Sequence, residues 1–165
     1  MPLVAFDQMP PDARLWIFAA ERPLGEDDRR RLLAIVDGFL EGWRAHGLPL
    51  TAARDWRYDR FLLVAVDEAS AGPSGCSIDA MVRQIEDLER AIGVALLDHG
   101  PVLFRREDRI ERLTRPEFAA LARTGVVSPD TIVFNNTLTR VAELREGLWE
   151  TPARGSWHAR AFGLA

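Results

Sequence analysis

Cys76 is the only cysteine among 165 residues, and it stands in the run Ser74-Gly75-Cys76-Ser77-Ile78-Asp79. Upstream, Phe61-Leu62-Leu63-Val64-Ala65-Val66 has the continuous apolar character of a buried strand. Downstream, Ile78, Met81, Val82, Ile85, Leu88 and Ile92 recur at helical spacing, which predicts a helix over 77–92. Cys76 is thereby expected at the helix start, where unsatisfied N–H groups and the positive end of the macrodipole stabilise a thiolate. The same donors suit a phosphate or an oxyanion, Gly75 permits close backbone approach, and Ser74 and Ser77 add hydroxyls. Asp79, expected in the first turn, serves as a cap or dipole partner, and its charge opposes thiolate formation. Cys76 is the candidate nucleophile, with Ser74, Gly75, Ser77 and Asp79 as candidate binding residues. The competing reading is a small buried apolar side chain with no chemistry.

A thiol enzyme also needs an imidazole within hydrogen-bond reach, and the choices are His46, His99 and His158. His46 beside Gly47 suits the C-terminal end of a helix, and His99 before Gly100-Pro101 reads as part of a turn. Asn135, followed by Asn136 after an apolar run, is a candidate for orienting an imidazole or binding a polar substrate. Turn and N-cap duty is its other reading. Three scattered histidines and one cysteine show no ligand spacing, so no metal is expected and no cofactor is implied.

Composition removes several classes of chemistry. All 21 basic residues are arginine, so Schiff-base catalysis, pyridoxal-phosphate attachment and the lysine of a P-loop or protein kinase are excluded. ATP turnover through a phosphate cradle is therefore not expected. A net charge of -4 with mixed signs argues against a surface built wholly for polyanions. No apolar run approaches a membrane span, and the first residues lack the charged-then-apolar pattern of a signal peptide. With a lone cysteine, this points to a cytoplasmic protein without membrane association. Length and 47% apolar content suit one domain over residues 1–165.

The elements that must position these residues read as follows. Residues 14–20 form a strand after Pro10-Pro11-Asp12. A helix starts at Gly25 with Glu26, Asp27 and Asp28 in its first turn and carries Leu32, Leu33, Val36, Phe39, Leu40 and Trp43 on one face until Gly47 and Pro49. Residues 50–57 and 60–67 make a hairpin with Asp59 near its turn. The helix of 77–92 ends at Gly93. Strand-like runs follow at 94–97, 101–106 and 108–114, then a short helix from Pro116 to Arg123, a strand at 131–134 and a helix at 137–148. The tail from Pro152 has no clear period. The fold class is α+β: a mainly antiparallel sheet with helices packed on it and ferredoxin-like split βαβ elements.

The combination of Asp12-Ala13-Arg14-Leu15-Trp16-Ile17-Phe18, Ser74-Gly75-Cys76-Ser77-Ile78-Asp79, Val133-Phe134-Asn135-Asn136 and Ser156-Trp157-His158 resembles a small bacterial family of uncharacterised proteins. Members often carry the label "ABC transporter ATPase". The residues do not support that label: there is no Walker A glycine loop and no Leu-Ser-Gly-Gly-Gln, and Val66-Asp67-Glu68 only superficially resembles a Walker B end. The resemblance selects His158 as the imidazole partner of Cys76. A second, local likeness runs from Val82 to Glu89 and on through Gly93-Val94, Arg105-Arg106 and Leu113-Thr114. It resembles the recognition helix and wing of LysR-type winged helices, in which two helices precede this segment. Gly72-Pro73-Ser74-Gly75 breaks the place of the second, so nucleic acid is not expected.

Two functions follow from different classes. One is a thiol-dependent transferase or hydrolase acting through Cys76, His158 and Asn135 on a small anionic or acyl substrate. The other is a non-catalytic binding or assembly domain with a structural Cys76. The partner is thus a small molecule or a protein.

Overall fold

The computed structural model describes residues 3–69 and 71–165. These gather into two compact units, Met1–Leu97 with Thr139–Ala142, and Asp98–Leu138 with Glu143–Ala165. Both hold antiparallel sheets accompanied by helices, so the fold is α+β.

The first unit contains β1 (Arg14–Ala19), α1 (Glu26–Glu41), β2 (Arg44–Ala45), β3 (Leu48–Pro49), β4 (Thr51–Arg57), β5 (Phe61–Asp67) and α2 (Gly75–Ile92). Its main sheet has the order β1-β5-β4, with β5 antiparallel to both neighbours. β1 and β4 are joined through α1 and run parallel with β5 between them, which is the split βαβ expected from the sequence. β5 takes the centre because Phe61 to Val66 are all buried and apolar on both faces. Its hairpin with β4 turns through Tyr58 and Asp59, both at positive φ, so the reversal is of the tight primed kind that matches strand twist. Phe18, Ala52, Leu62, Val64 and Val66 from the sheet share one core with Leu32, Val36 and Leu40 of α1 and Met81, Ile85 and Leu88 of α2. Burying each larger side chain contributes about 1.5–3 kcal/mol. Arg54 of β4 grips Asp37 of α1 through Nε to Oδ1 at 2.7 Å and Nη2 to Oδ2 at 2.9 Å, adding a fixed register to that apolar contact.

Three boundaries differ from the sequence reading. α1 stops at Glu41, short of Gly47, because the chain makes a miniature hairpin of β2 and β3 across His46 and Gly47, both at positive φ. Trp43 therefore lies beyond the helix, yet it is buried and its indole donates to the Ser77 carbonyl at 2.9 Å. Residues 94–97 are not a strand. Glu89 Oε2 accepts from the amides of Leu96 and Leu97, Glu21 Oε1 accepts from that of Ala95, and the Glu21 N–H donates to the Ala95 carbonyl, joining them to the β1 end. The helix expected over 137–148 shrinks to α4 (Val141–Arg145), because Leu15 and Arg14 of β1 pair with Thr139 and Arg140 instead.

The second unit contains β6 (Val102–Arg106), β7 (Arg109–Leu113), α3 (Arg115–Arg123), β8 (Ile132–Phe134), β9 (Glu150–Pro152) and α5 (His158–Phe162), together with the last three residues of α4. The sheet order is β7-β6-β8-β9, antiparallel throughout, and the expected hairpin of 101–114 is β6 with β7. Val102, Phe104, Phe118, Val127, Val133, Ala153 and Leu164 form its core. The tail from Pro152, without a period in sequence, supplies the last residue of β9 and all of α5, elements too short to show one. No described helix is long and apolar enough to cross a membrane.

Candidate functional site

α2 begins where the hydroxyls of Ser74 and Ser77 lock together. The Ser77 amide donates to Ser74 Oγ at 3.1 Å, the Ser74 amide donates to Ser77 Oγ at 2.7 Å, and the Ser77 hydroxyl donates to the Ser74 carbonyl at 2.8 Å. This is a reciprocal capping box, with Ser77 in the place usually held by Glu or Gln. The box satisfies helix donors at the cost of the chemistry expected of these serines. Ser77 is buried, and its hydroxyl is spent on the backbone of Ser74.

Cys76 occupies the second helical position and is exposed. A structural cysteine buried in a core is therefore not what the fold makes of it. A Cβ added at Gly75 would meet nothing within 4 Å, so glycine is not required there by a close backbone approach. Asp79 corrects another expectation: the helix begins two residues earlier than its apolar period, so Asp79 falls in the second turn, exposed, and does not cap. Asp67 and Glu68, the superficial Walker B end, are occupied locally. Asp67 Oδ1 accepts from the Ala69 amide at 2.9 Å, and Glu68 Oε1 accepts from Arg140 Nη1 at 2.8 Å.

The histidine and asparagine expected to serve Cys76 belong to the second unit. Asn135 Oδ1 accepts from the amide and hydroxyl of Thr137, closing an Asx turn after β8, while the neighbouring Asn136 Oδ1 accepts the Trp149 indole N–H at 2.8 Å. Both side chains thus hold the turn. His158 is 1% exposed. Its Nδ1 lies 2.8 Å from Ser156 Oγ, and its ring stacks on Trp157 with centroids 3.8 Å apart. Phe118 and Phe162 complete the aromatic surround. Burial, followed by the charge of Arg115, pushes the His158 pKa down to about 4, so the imidazole is neutral at physiological pH. His158 Nε2 has no hydrogen-bond partner among the described residues. His46 sits in the β2–β3 turn and not at a helix end, His99 lies in an exposed loop before Gly100, and neither joins Cys76 in a described contact.

Among the described residues, no group of three His, Cys, Asp or Glu side chains is arranged to hold a metal ion. Neither a protein-family model, nor a curated protein, nor a solved structure matches the chain. The sequence reading missed two polar residues with defined work. Arg60 is 5% exposed and closes the end of β1, donating from Nε to the Ala20 carbonyl and from Nη2 to the Glu21 carbonyl. Ser156, two residues before His158, is the hydrogen-bond partner of the imidazole, and the Ser-x-His spacing was its available signal.

Proposed function

We propose that residues 1–165 act as one cytoplasmic domain that binds a small molecule or a protein partner, and that Cys76 is a surface residue of it without a catalytic role. The carrying observation is the closed capping box. Ser74 and Ser77 are bonded to each other, and among the described residues Cys76 has no hydrogen bond to a group that could take its proton. A cysteine nucleophile needs such a base or a nearby cation, and the helix end alone supplies only a modest stabilisation of about 0.3–1 kcal/mol. The lack of lysine supports a protein that does not turn over ATP, and the β4–β5 hairpin ahead of α2, where a winged helix has two helices, supports a role away from DNA. The likeness to the Ser-Gly-Cys-Ser-Ile-Asp family carries no activity and fits this reading.

A thiol-dependent transferase or hydrolase on a small anionic or acyl substrate is the second reading, and the exposure of Cys76 favours it. Thioester hydrolysis by wild type, Cys76→Ala and Cys76→Ser separates the two. Equal rates in all three are expected; turnover that disappears in both variants while folding is kept would establish the thiol enzyme instead.

A further inference from the structure

The second unit has an open cavity of about 530 Å³ lined by Ser156, Trp157, Ala159, Arg160 and Ala165. Ser156, one of the lining residues, has its Oγ 2.8 Å from His158 Nδ1. We propose that Ser156 is a nucleophile with His158 as its base, and that this cavity takes an ester whose acid part carries an anionic group. The site is independent of Cys76 and uses residues of the second unit alone.

Three observations converge on that chemistry. The contact joins a hydroxyl to an imidazole at hydrogen-bond distance, the arrangement that activates a serine when the ring nitrogen facing it is bare. Burial keeps His158 neutral, and with the proton on Nε2 the free lone pair is at Nδ1, opposite Ser156. Trp157 fixes the ring plane by stacking at 3.8 Å, while the guanidinium of Arg115 covers the indole at 4.9 Å. The cavity wall defines the substrate class. Trp157, Ala159 and Ala165 present apolar surface to an acyl chain, and Arg160 is exposed with no ion-pair partner among the described residues.

In the reaction, Ser156 Oγ bonds to the acyl carbon as its proton passes to His158 Nδ1. The tetrahedral adduct collapses, the bond from acyl carbon to alcohol oxygen breaks, and the alcohol leaves with the proton from Nδ1. Water then adds to the acyl-serine, giving its proton to Nδ1. Collapse releases the acid and returns the proton to Ser156. The burial that holds the imidazole neutral also weakens it as a base, so turnover is slow.

The test uses the full chain at neutral pH and a fluorophosphonate probe, read by intact mass and peptide mapping. A single adduct on Ser156 is expected in wild type and in Cys76→Ala, and none in Ser156→Ala. No adduct on the folded protein, or labelling that survives Ser156→Ala, overturns the nucleophile. Substituting His158 disturbs a packed position, so its role is read in wild type from long-range proton–nitrogen correlations. Protonation at Nε2 with a bare Nδ1 is expected, and the Nδ1-protonated tautomer overturns the base. For the substrate class, Arg160→Gln should lower kcat/KM for the p-nitrophenyl monoester of succinate about threefold more than for the butyrate ester, the scale of one exposed ion pair. An equal effect on both esters overturns the anionic group.

Discussion

The two units reach stability by different routes, although both pack helices on antiparallel strands. The first relies on length: six- and seven-residue strands and helices of 16 and 18 residues, each presenting a long apolar face to one core. The second has strands of three to five residues and helices of nine residues or fewer, and it substitutes large rings for length. Phe118 is its hub, with Phe104 at 5.0 Å, Phe162 at 4.8 Å and His158 at 6.4 Å between ring centroids. A core spread over many aliphatic contacts tolerates one lost side chain better than a core hung on one ring. The same contrast governs the chemistry: the first unit exposes its cysteine beside a completed cap, while the second buries its histidine against a serine.

The sharpest way to break this contrast is Phe118→Ala, expected to destabilise by about 3–5 kcal/mol in denaturant titrations, at or above the loss from Leu88→Ala in the first core. A clearly smaller loss at Phe118 would mean that the rings are not what holds the second unit. Next in size is the pH dependence from His158. Its pKa is 6.5 when unfolded and about 4 in the fold, so the unfolded chain takes up the proton first as pH falls. Stability from this group is intact above pH 6.5, declines between 6.5 and about 4, and is flat below. The whole change is about 3 kcal/mol, and the difference in unfolding free energy between wild type and His158→Phe across that window should show it.

The two capping boxes offer a finer comparison. Ser74→Ala should cost about 1 kcal/mol, because it removes the acceptor for the Ser77 amide. Thr114→Ala at α3 should cost less. There Thr114 and Glu117 form the box at the surface, and the Thr114 hydroxyl and amide hold the Glu117 carboxyl below the usual carboxylate range. Smallest of all is Cys76→Ala, expected within about 0.5 kcal/mol of wild type in the same titrations, with Cys76 alkylated by iodoacetamide without denaturant. A thiol that reacts only after unfolding would overturn its placement on the surface.

Periodicity over long windows explains which parts of the fold were legible. The apolar run 61–66 and the spacing from Ile78 to Ile92 state strand and helix on their own, because burial on two faces and on one helical stripe demands those patterns. The split βαβ followed from their order. Residues 94–97 and 137–140 failed because their backbone groups are satisfied by Glu21 and β1, far along the chain, and by the side chain of Glu89, a kind of bond that apolar periodicity does not show. For the site, the helix start at Cys76 was legible. The locking of Ser74 to Ser77 was not, since a serine at the third helical position gives a weaker sign than Glu or Gln.

By itself the sequence determined the α+β class, the central place of residues 61–66, the helix that opens near Cys76 and the exclusion of lysine chemistry, because each depends on composition or on neighbours within a few turns. The folded structure decided which polar groups are spent and which are poised, some by bonds within a turn and others by contacts across the chain. Ser74 and Ser77 close on each other, Asn135 turns to Thr137, and Arg60 reaches back to the end of β1. His158 is driven among Trp157, Phe118 and Phe162, where desolvation sets its protonation and leaves Ser156 at Nδ1. Burial and hydrogen-bond partnership belong to groups brought together in space, and they determine what a side chain is able to do.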